Sequence, residues 1–419
     1  MLPAFISKLI IYGANLKSMG ALFGLQKEIY SKNNTDKPFS EEEIKAYLRK
    51  WGRSEDITTL PLMNKSDLRE YAAKLDPSVV YKVFYTGGST GEPLKTPYSK
   101  LRSLIRTSAV LYYNKLAGYR NGDRYMLTRS KDDSSFIKSL KNEIIFVPND
   151  LSQARVESVV KEIIDKKVKV LIGYPSVFYE LALYLNKHPE LKSGLKVKTY
   201  ISTSEPVDQQ RHEFIKEAFQ CEVLDRYANE ENGIMAHQRT FGGEYFVDRY
   251  NLYLEVIDPE TLKPVKEGEV GKVVLTDTKS DIYPVIRYDT GDFAEAARYV
   301  NGRLLTIKRI VGRVVDQFYK TNGEPFSPLT LGPYIRLPLT SLGIHFQFQF
   351  AQTGSTTYEL RLKVPEGSVP DSNRESVVKG LKKVLGEDAL IEVAYVDTIK
   401  SRPSGKRPLY INEYLHAEV

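Results

Sequence analysis

The chain has 419 residues, more than one hydrophobic core usually organises, so at least two domains are expected. An apolar share of 42% beside 27% charged residues fits a folded globular protein and excludes wholesale disorder. The net charge of +7 is spread without a block of five like charges and without a nucleic-acid motif, so no nucleic-acid partner is expected, and the single cysteine, Cys221, excludes an internal disulfide framework or a cysteine zinc cluster.

That cysteine usage suits a reducing cytoplasm. Residues 1–30 are apolar but broken by Lys8 and Lys17. The runs are too short to cross a membrane, and the charge follows the apolar residues instead of preceding them as in a signal peptide. Ile6, Leu9, Ile10 and Leu16 share one helical face. That face is expected to pack on the protein body, with weak peripheral membrane contact as the alternative.

From Asp150 to Tyr227 helices and strands alternate. The spacing predicts a helix over 152–166 with Ser152 as its cap, a strand over 167–173, and a helix from Pro175 to His188. Strands follow at 196–202 and 221–225. This rhythm implies an α/β fold with a mostly parallel sheet covered by helices. After Phe241 short β-rich runs such as 252–257 and 270–276 predict an antiparallel or barrel-like subdomain. Beyond Val311, strands at 345–350, 357–364 and 390–397 with a helix at 373–385 predict a small α+β module. The boundary falls near Gly312, giving a large domain over 1–312 and a small one over 313–419.

Five motifs carry chemistry. Tyr85-Thr-Gly-Gly-Ser-Thr-Gly-Glu-Pro-Leu-Lys95 places three glycines and three hydroxyls in six positions. Such a loop turns backbone N–H groups and hydroxyls toward an anion, although it lacks Walker spacing and alone is equally an ordinary flexible turn. Asp225-Arg-Tyr-Ala-Asn-Glu-Glu-Asn-Gly233 follows a strand and offers a ring for stacking and a carboxylate for magnesium. Tyr283-Pro-Val-Ile-Arg-Tyr-Asp-Thr-Gly-Asp292 offers a carboxylate for two ribose hydroxyls. Val311-Gly-Arg-Val-Val-Asp316 and Ser401-Arg-Pro-Ser-Gly-Lys406-Arg407 complete the series. Each one alone reads as a polar turn. The five histidines have no metal-ligand spacing.

In this order the motifs resemble the adenylate-forming (AMP-binding) superfamily, within it the phenylacetate–CoA ligase branch and its relatives in capsular polysaccharide biosynthesis. Leu60-Pro-Leu-Met-Asn-Lys-Ser-Asp-Leu68, Gly173-Tyr-Pro-Ser176 and Ile201-Ser-Thr-Ser-Glu-Pro206 fit that branch too, so the resemblance runs from Leu60 onward. It implies a cytoplasmic ATP- and magnesium-dependent ligase with a large nucleotide-binding domain and a mobile C-terminal lid. By similarity, Thr86, Gly87, Gly88, Ser89, Thr90, Gly91 and Lys95 hold the β- and γ-phosphates. Ser204, Glu205 and Pro206 line the adenine pocket, with Asp225 near the exocyclic amine and Tyr227 on the ring. Glu231 holds Mg²⁺, Asp292 binds the ribose helped by Arg313, and Lys406 is the adenylation lysine. Tyr174, Phe178 and His237 are candidates for the acid pocket, suggesting a small aromatic or polar acid, although a structural role for His237 is the more ordinary reading.

The branch usually passes the acyl group to coenzyme A and is often dimeric. Alternatives are transfer to an amine or hydroxyl acceptor, as in capsule biosynthesis, and a nucleotide-binding scaffold without catalysis. Three departures from the pattern stand out. Val315 occupies the usual acidic hinge position, with Asp316 next. Glu230 replaces a hydroxyl and adds negative charge beside Glu231. The cysteine cluster that binds zinc in some relatives is missing.

Overall fold

Two early helices are set by their caps. The helix Glu41–Lys50 starts where the Ser40 side chain accepts from the Glu43 N–H, with three glutamates in the first turn. The helix Lys65–Ala73 starts at a reciprocal capping box between Asn64 and Asp67. Our computed structural model describes residues 16–37, 39–85, 94–120, 122–129, 142–205, 209–313, 318–326, 328–340, 342, 346–364, 367–399 and 407–414. Ile6, Leu9 and Ile10 lie outside these residues, and a helix runs over Leu16–Asn33. Its Ile29 packs with Ile105, Ala109 and Tyr113 of the helix Lys100–Leu116. Among the described residues no helix is long and apolar enough to cross a membrane.

The strands β1 (Lys82–Tyr85) and β2 (Lys95–Tyr98) form an antiparallel ribbon whose last pair is Tyr85 with Lys95. The glycine-rich loop joins these two strands. Its residues Thr86, Gly87, Gly88, Ser89, Thr90 and Gly91 lie outside the described residues.

One large sheet follows. Its strands are β3 (Tyr125–Thr128), β4 (Glu143–Phe146), β5 (Val170–Gly173), β6 (Thr199–Thr203), β7 (Glu222–Asn229), β8 (Gly233–Gln238), β9 (Tyr245–Val247), β10 (Leu252–Ile257), β11 (Val270–Asp277), β12 (Tyr288–Val300) and β13 (Arg303–Arg313). The spatial order is β10-β11-β12-β13-β9-β8-β7-β6-β5-β3-β4. From β4 to β7 the neighbours run parallel. Beyond β7 the pairings β7–β8, β8–β9 and β9–β13 are antiparallel, as are β10–β11 and β11–β12. The helices Gln153–Asp165, Pro175–Lys187 and Gln209–Phe219 bury Val159, Phe178 and Ile215 against one face, with Leu171 of β5. Val170 and Ile172 of β5 face the other way, toward Ala117 and Tyr119. Burial on both faces is why this strand reads as a continuous apolar run.

The β-rich stretch after Phe241 is therefore not a separate barrel. The physical reason lies in β7. It pairs in parallel with β6 on one side, and after the tight turn to Gly233 the chain returns antiparallel on the other. The sheet changes direction without breaking. The hairpin between β12 and β13 turns through Asn301 and Gly302, both at positive φ, the conformation an Asn-Gly hairpin adopts.

The chain divides into two compact units that separate between Ile310 and Val311. In the second, β14 (Phe318–Tyr319) pairs with β15 (Pro325–Phe326). A four-stranded mixed sheet of β16 (Gln347–Gln352), β17 (Thr357–Lys363), β18 (Leu390–Tyr395) and β19 (Tyr410–Asn412) has the order β18-β17-β16-β19. The helices Gly332–Thr340 and Asp371–Leu385 contribute Ile335, Leu339, Leu381 and Leu385 to a core shared with Phe348, Phe350 and Leu360.

Candidate active site

The parallel strands end level with one another, Gly173 pairing with Ser202 and Ser202 with Asp225. In sheets with helical crossovers the crevice beyond these carboxyl ends is where ligands bind. Gly173 is required there, because a Cβ would fall 2.0 Å from the Thr128 Oγ1 of β3. The Tyr174 N–H donates to that same oxygen at 3.3 Å. The helix that starts at Pro175 finds its N-terminal acceptor far along the chain. The Glu205 carboxylate accepts from the Ser176 N–H at 2.9 Å and the Ser176 hydroxyl at 2.8 Å, a favourable place for an anion. Burial and Glu205 push the Tyr174 phenol up to about 12. Ser204, just past β6, holds a left-handed φ of 72°, a strained setting for a residue with a side chain. Pro206 lies outside the described residues.

On one face of β7, Asp225 and Tyr227 each join a distant partner. The Tyr245 hydroxyl donates to the Asp225 carboxylate. Burial raises that carboxyl to about 6, against the lowering effect of Tyr245 and Ser202. The Tyr227 hydroxyl donates to Asp292 Oδ2 at 2.7 Å. Asp292 stands on a bulge, since the register between β11 and β12 slips from Lys272–Phe293 to Val274–Asp289. Gly291 within it has φ 74°. A bulge re-aims a strand residue, and here it turns Asp292 toward β7.

The turn after β7 carries Glu231, and three consecutive carbonyls in it are clamped. The Glu230 oxygen accepts from Arg106 Nη1 at 2.6 Å, the Glu231 oxygen from the Tyr98 hydroxyl at 2.6 Å, and the Asn232 oxygen from Arg102 Nη2 at 3.0 Å. Arg102 is itself paired with Asp277 at 2.6 Å, both side chains 3% exposed. Arg106 also meets the Glu230 carboxylate at 2.9 Å, so the extra negative charge seen in the sequence is countered. Both arginines lie near the ring of Tyr98 in β2. Tyr98 thus ties the glycine-loop ribbon to the Glu231 turn. The Glu231 carboxylate is buried and meets the Tyr288 hydroxyl at 3.4 Å.

The remaining candidates fall differently. Lys95 is exposed at the exit of the loop. Phe178 is fully buried in the core, its ring 4.7 Å from that of Tyr200. His237 is buried, its ring stacked on Tyr113 at 5.3 Å, and burial with Arg226 lowers it to about 3. Arg313 closes β13, but its side chain lies outside the described residues, as does Lys406. Sequence reasoning passed over Tyr98, Arg102 and Arg106. A signal for Arg102 was present: it falls on the helix face of Ile105, Ala109 and Tyr112, where a charge implies a buried partner.

A model of the AMP-binding enzyme family matches residues 16–278. The phenylacetate-coenzyme A ligase of Pseudomonas putida is 22% identical over 375 residues, covering 84% of this chain and 83% of the relative. Among solved structures, 2-hydroxyisobutyryl-CoA ligase in its postadenylation state with R3-HIB-AMP superposes with a TM-score of 0.65 at 17% identity, over 93% of this chain and 88% of that one. ATP-bound MatB from Rhodopseudomonas palustris gives 0.57 at 16% identity, over 78% and 66%.

Proposed function

The chain belongs to the AMP-binding enzyme family, and we propose that it is an acid–CoA ligase that activates a small aromatic or polar carboxylic acid through an acyl-adenylate. The observation that supports this most is the linkage of motifs far apart in sequence: Tyr98 at the glycine-loop ribbon to the Glu231 turn, and Tyr227 on the adjoining strand to Asp292.

In this reading Thr86–Gly91 and Lys95 cradle the outer phosphates of ATP. Tyr227 stacks on the adenine and Asp292, with Arg313, receives the ribose hydroxyls. Ser204, Glu205 and Pro206 line the adenine, Glu205 through its main chain because its carboxylate is engaged by Ser176. Asp225, held by Tyr245, shapes the far side of that pocket.

Among the described residues the Glu231 carboxylate has one donor, at 3.4 Å, which leaves it open to a cation. One buried carboxylate beside a triphosphate fits Mg²⁺, which is commonly held by one or two carboxylates plus substrate phosphates. When bound, the ion would offset phosphate charge. The protein's own task is to bring two anions together. A carboxylate oxygen attacks the α-phosphorus, the bond to pyrophosphate breaks, and pyrophosphate leaves. Lys406 supplies positive charge at the crowded phosphorus. The thiol sulfur of coenzyme A then attacks the acyl carbon, and AMP leaves with the acid's oxygen.

The test is ATP–pyrophosphate exchange across a carboxylic-acid library. Wild type exchanges with particular acids, and Lys406→Ala lowers that rate by about 10²–10³. Exchange unchanged in Lys406→Ala removes the lysine from the mechanism, and no exchange with any acid removes the mechanism. A CoA thioester as the final product supports the acceptor assigned here, whereas an amide or ester formed without CoA overturns it.

A further inference from the structure

Ser204 is a strained residue at the crevice. It follows β6 with φ 72° and an exposed side chain. Lys167 and Gln220 share that conformation, but just past the ends of helices, where it is ordinary. Ser204 instead follows a strand, at the carboxyl end of the parallel sheet. A residue with a side chain keeps such a backbone only where its surroundings fix it, and strain of this kind gathers at ligand sites.

The next residue supplies the fixing contact. The Glu205 carboxylate accepts from the Ser176 N–H at 2.9 Å and from the Ser176 hydroxyl at 2.8 Å. Ser176 is 3% exposed, so both donors are sheltered from water. The Tyr174 side chain, at the head of that helix, makes no cap hydrogen bond, and Pro175 has no N–H to offer. The Ser176 N–H is therefore the first donor of the helix, and a residue 29 positions away satisfies it. The pairing of Gly173 with Ser202 sets the two strand ends side by side and brings the two turns within reach. Two bonds to one ionised carboxylate fix its orientation as well as its place.

We propose that Ser176 is a positioning residue for the nucleotide: through Glu205 it holds the turn at Ser204 in the strained backbone that meets the adenine. This rests on the adenylation reading above, which sets the base against that turn. Without the clasp, Ser204 relaxes toward an ordinary φ and the main chain of the turn leaves the base. The phosphates and the reacting carboxylate are held elsewhere, so the loss falls on ATP binding and not on the chemical step.

The experiment follows ATP–pyrophosphate exchange with an accepted acid in wild type, Ser176→Ala, Glu205→Ala and the double variant. Ser176→Ala is expected to raise the KM for ATP about tenfold with kcat within about twofold of wild type, the scale of one hydrogen bond to a charged group. In the Glu205→Ala background the same substitution should change the KM no further, because its route is already cut. An unchanged KM in a folded Ser176→Ala overturns the inference and leaves Ser176 as a helix cap. So does a full rise on top of Glu205→Ala, which would mean that Ser176 acts by another route. Should Ser176→Ala not fold, Glu205→Gln carries the test: it loses the charge that strengthens both bonds and should raise the KM for ATP about threefold or more. An unchanged KM there overturns the inference equally. In all these outcomes exchange by wild type leaves the adenylation reading standing. No exchange with any acid removes both.

Discussion

Replacing Arg102 by methionine should separate what its buried ion pair does for stability from what it does for the Glu231 turn. In Arg102→Met, Asp277 loses two charge-assisted bonds, at 2.9 and 2.6 Å, and keeps the Lys279 N–H at 3.0 Å. The Asn232 carbonyl loses its donor as well. Breaking a fully buried pair by removing one member costs about 3–5 kcal/mol. The only tryptophan, Trp51, lies in the large unit, so its fluorescence follows that unit alone during urea unfolding. The midpoint should fall by about 1 M or more. The double variant Arg102→Met/Asp277→Leu removes both charges and should recover most of the loss, leaving about 1–3 kcal/mol for the unpaired Asn232 carbonyl. Both variants should raise the Mg²⁺ concentration that half-saturates ATP–pyrophosphate exchange by about tenfold, since the turn has lost one of its three clamps. A single variant as stable as wild type refutes the energetic argument. A double variant with a normal Mg²⁺ requirement refutes the positioning argument.

Three further outcomes are expected. Gly173→Ala brings a methyl against Thr128 at a backbone φ of 157° and should cost about 1–3 kcal/mol in urea unfolding; a variant as stable as wild type would mean that the strand end tolerates a Cβ there. Tyr227→Phe removes the hydroxyl that donates to Asp292 and should raise the KM for ATP about tenfold; an unchanged KM would disconnect this pair from the nucleotide. Burial raises Asp225 from 3.8 to about 6, so the folded chain holds this proton more tightly than the unfolded one. Its contribution is full below about pH 3.8 and is lost as pH rises through about 6, a change of about 3 kcal/mol. Asp225→Asn should therefore be more stable than wild type at pH 7, with a flatter stability profile between pH 4 and 6.5. A parallel profile would show that the carboxyl is not perturbed.

Much of the fold is legible because periodicity and two-sided burial leave local traces. The helix over 152–166 appears at Gln153–Asp165 and the strand over 167–173 at Val170–Gly173, since Val159, Ile163 and Leu171 repeat at the spacing that buries them. The same logic places Phe178 in the core, because Val177, Phe178, Leu181, Ala182 and Leu185 follow one helical stripe. Contacts that join distant segments leave no such trace. Tyr98 meets Glu231 across 133 residues, and nothing near either residue announces it. Thr290-Gly-Asp292 reads as a turn, yet it is a bulge inside a thirteen-residue strand, because the neighbouring β11 keeps pairing on both sides of it. The union of the parallel and antiparallel strands depends likewise on β7 being paired along both edges.

The central chemical claim is a new bond between a carboxylate oxygen and the α-phosphorus of ATP. It is tested most directly by supplying an accepted acid labelled with ¹⁸O in its carboxylate, with ATP and coenzyme A, and weighing the nucleotide product. The account predicts AMP carrying one ¹⁸O. Unlabelled AMP, or ADP with the label in inorganic phosphate, would contradict it.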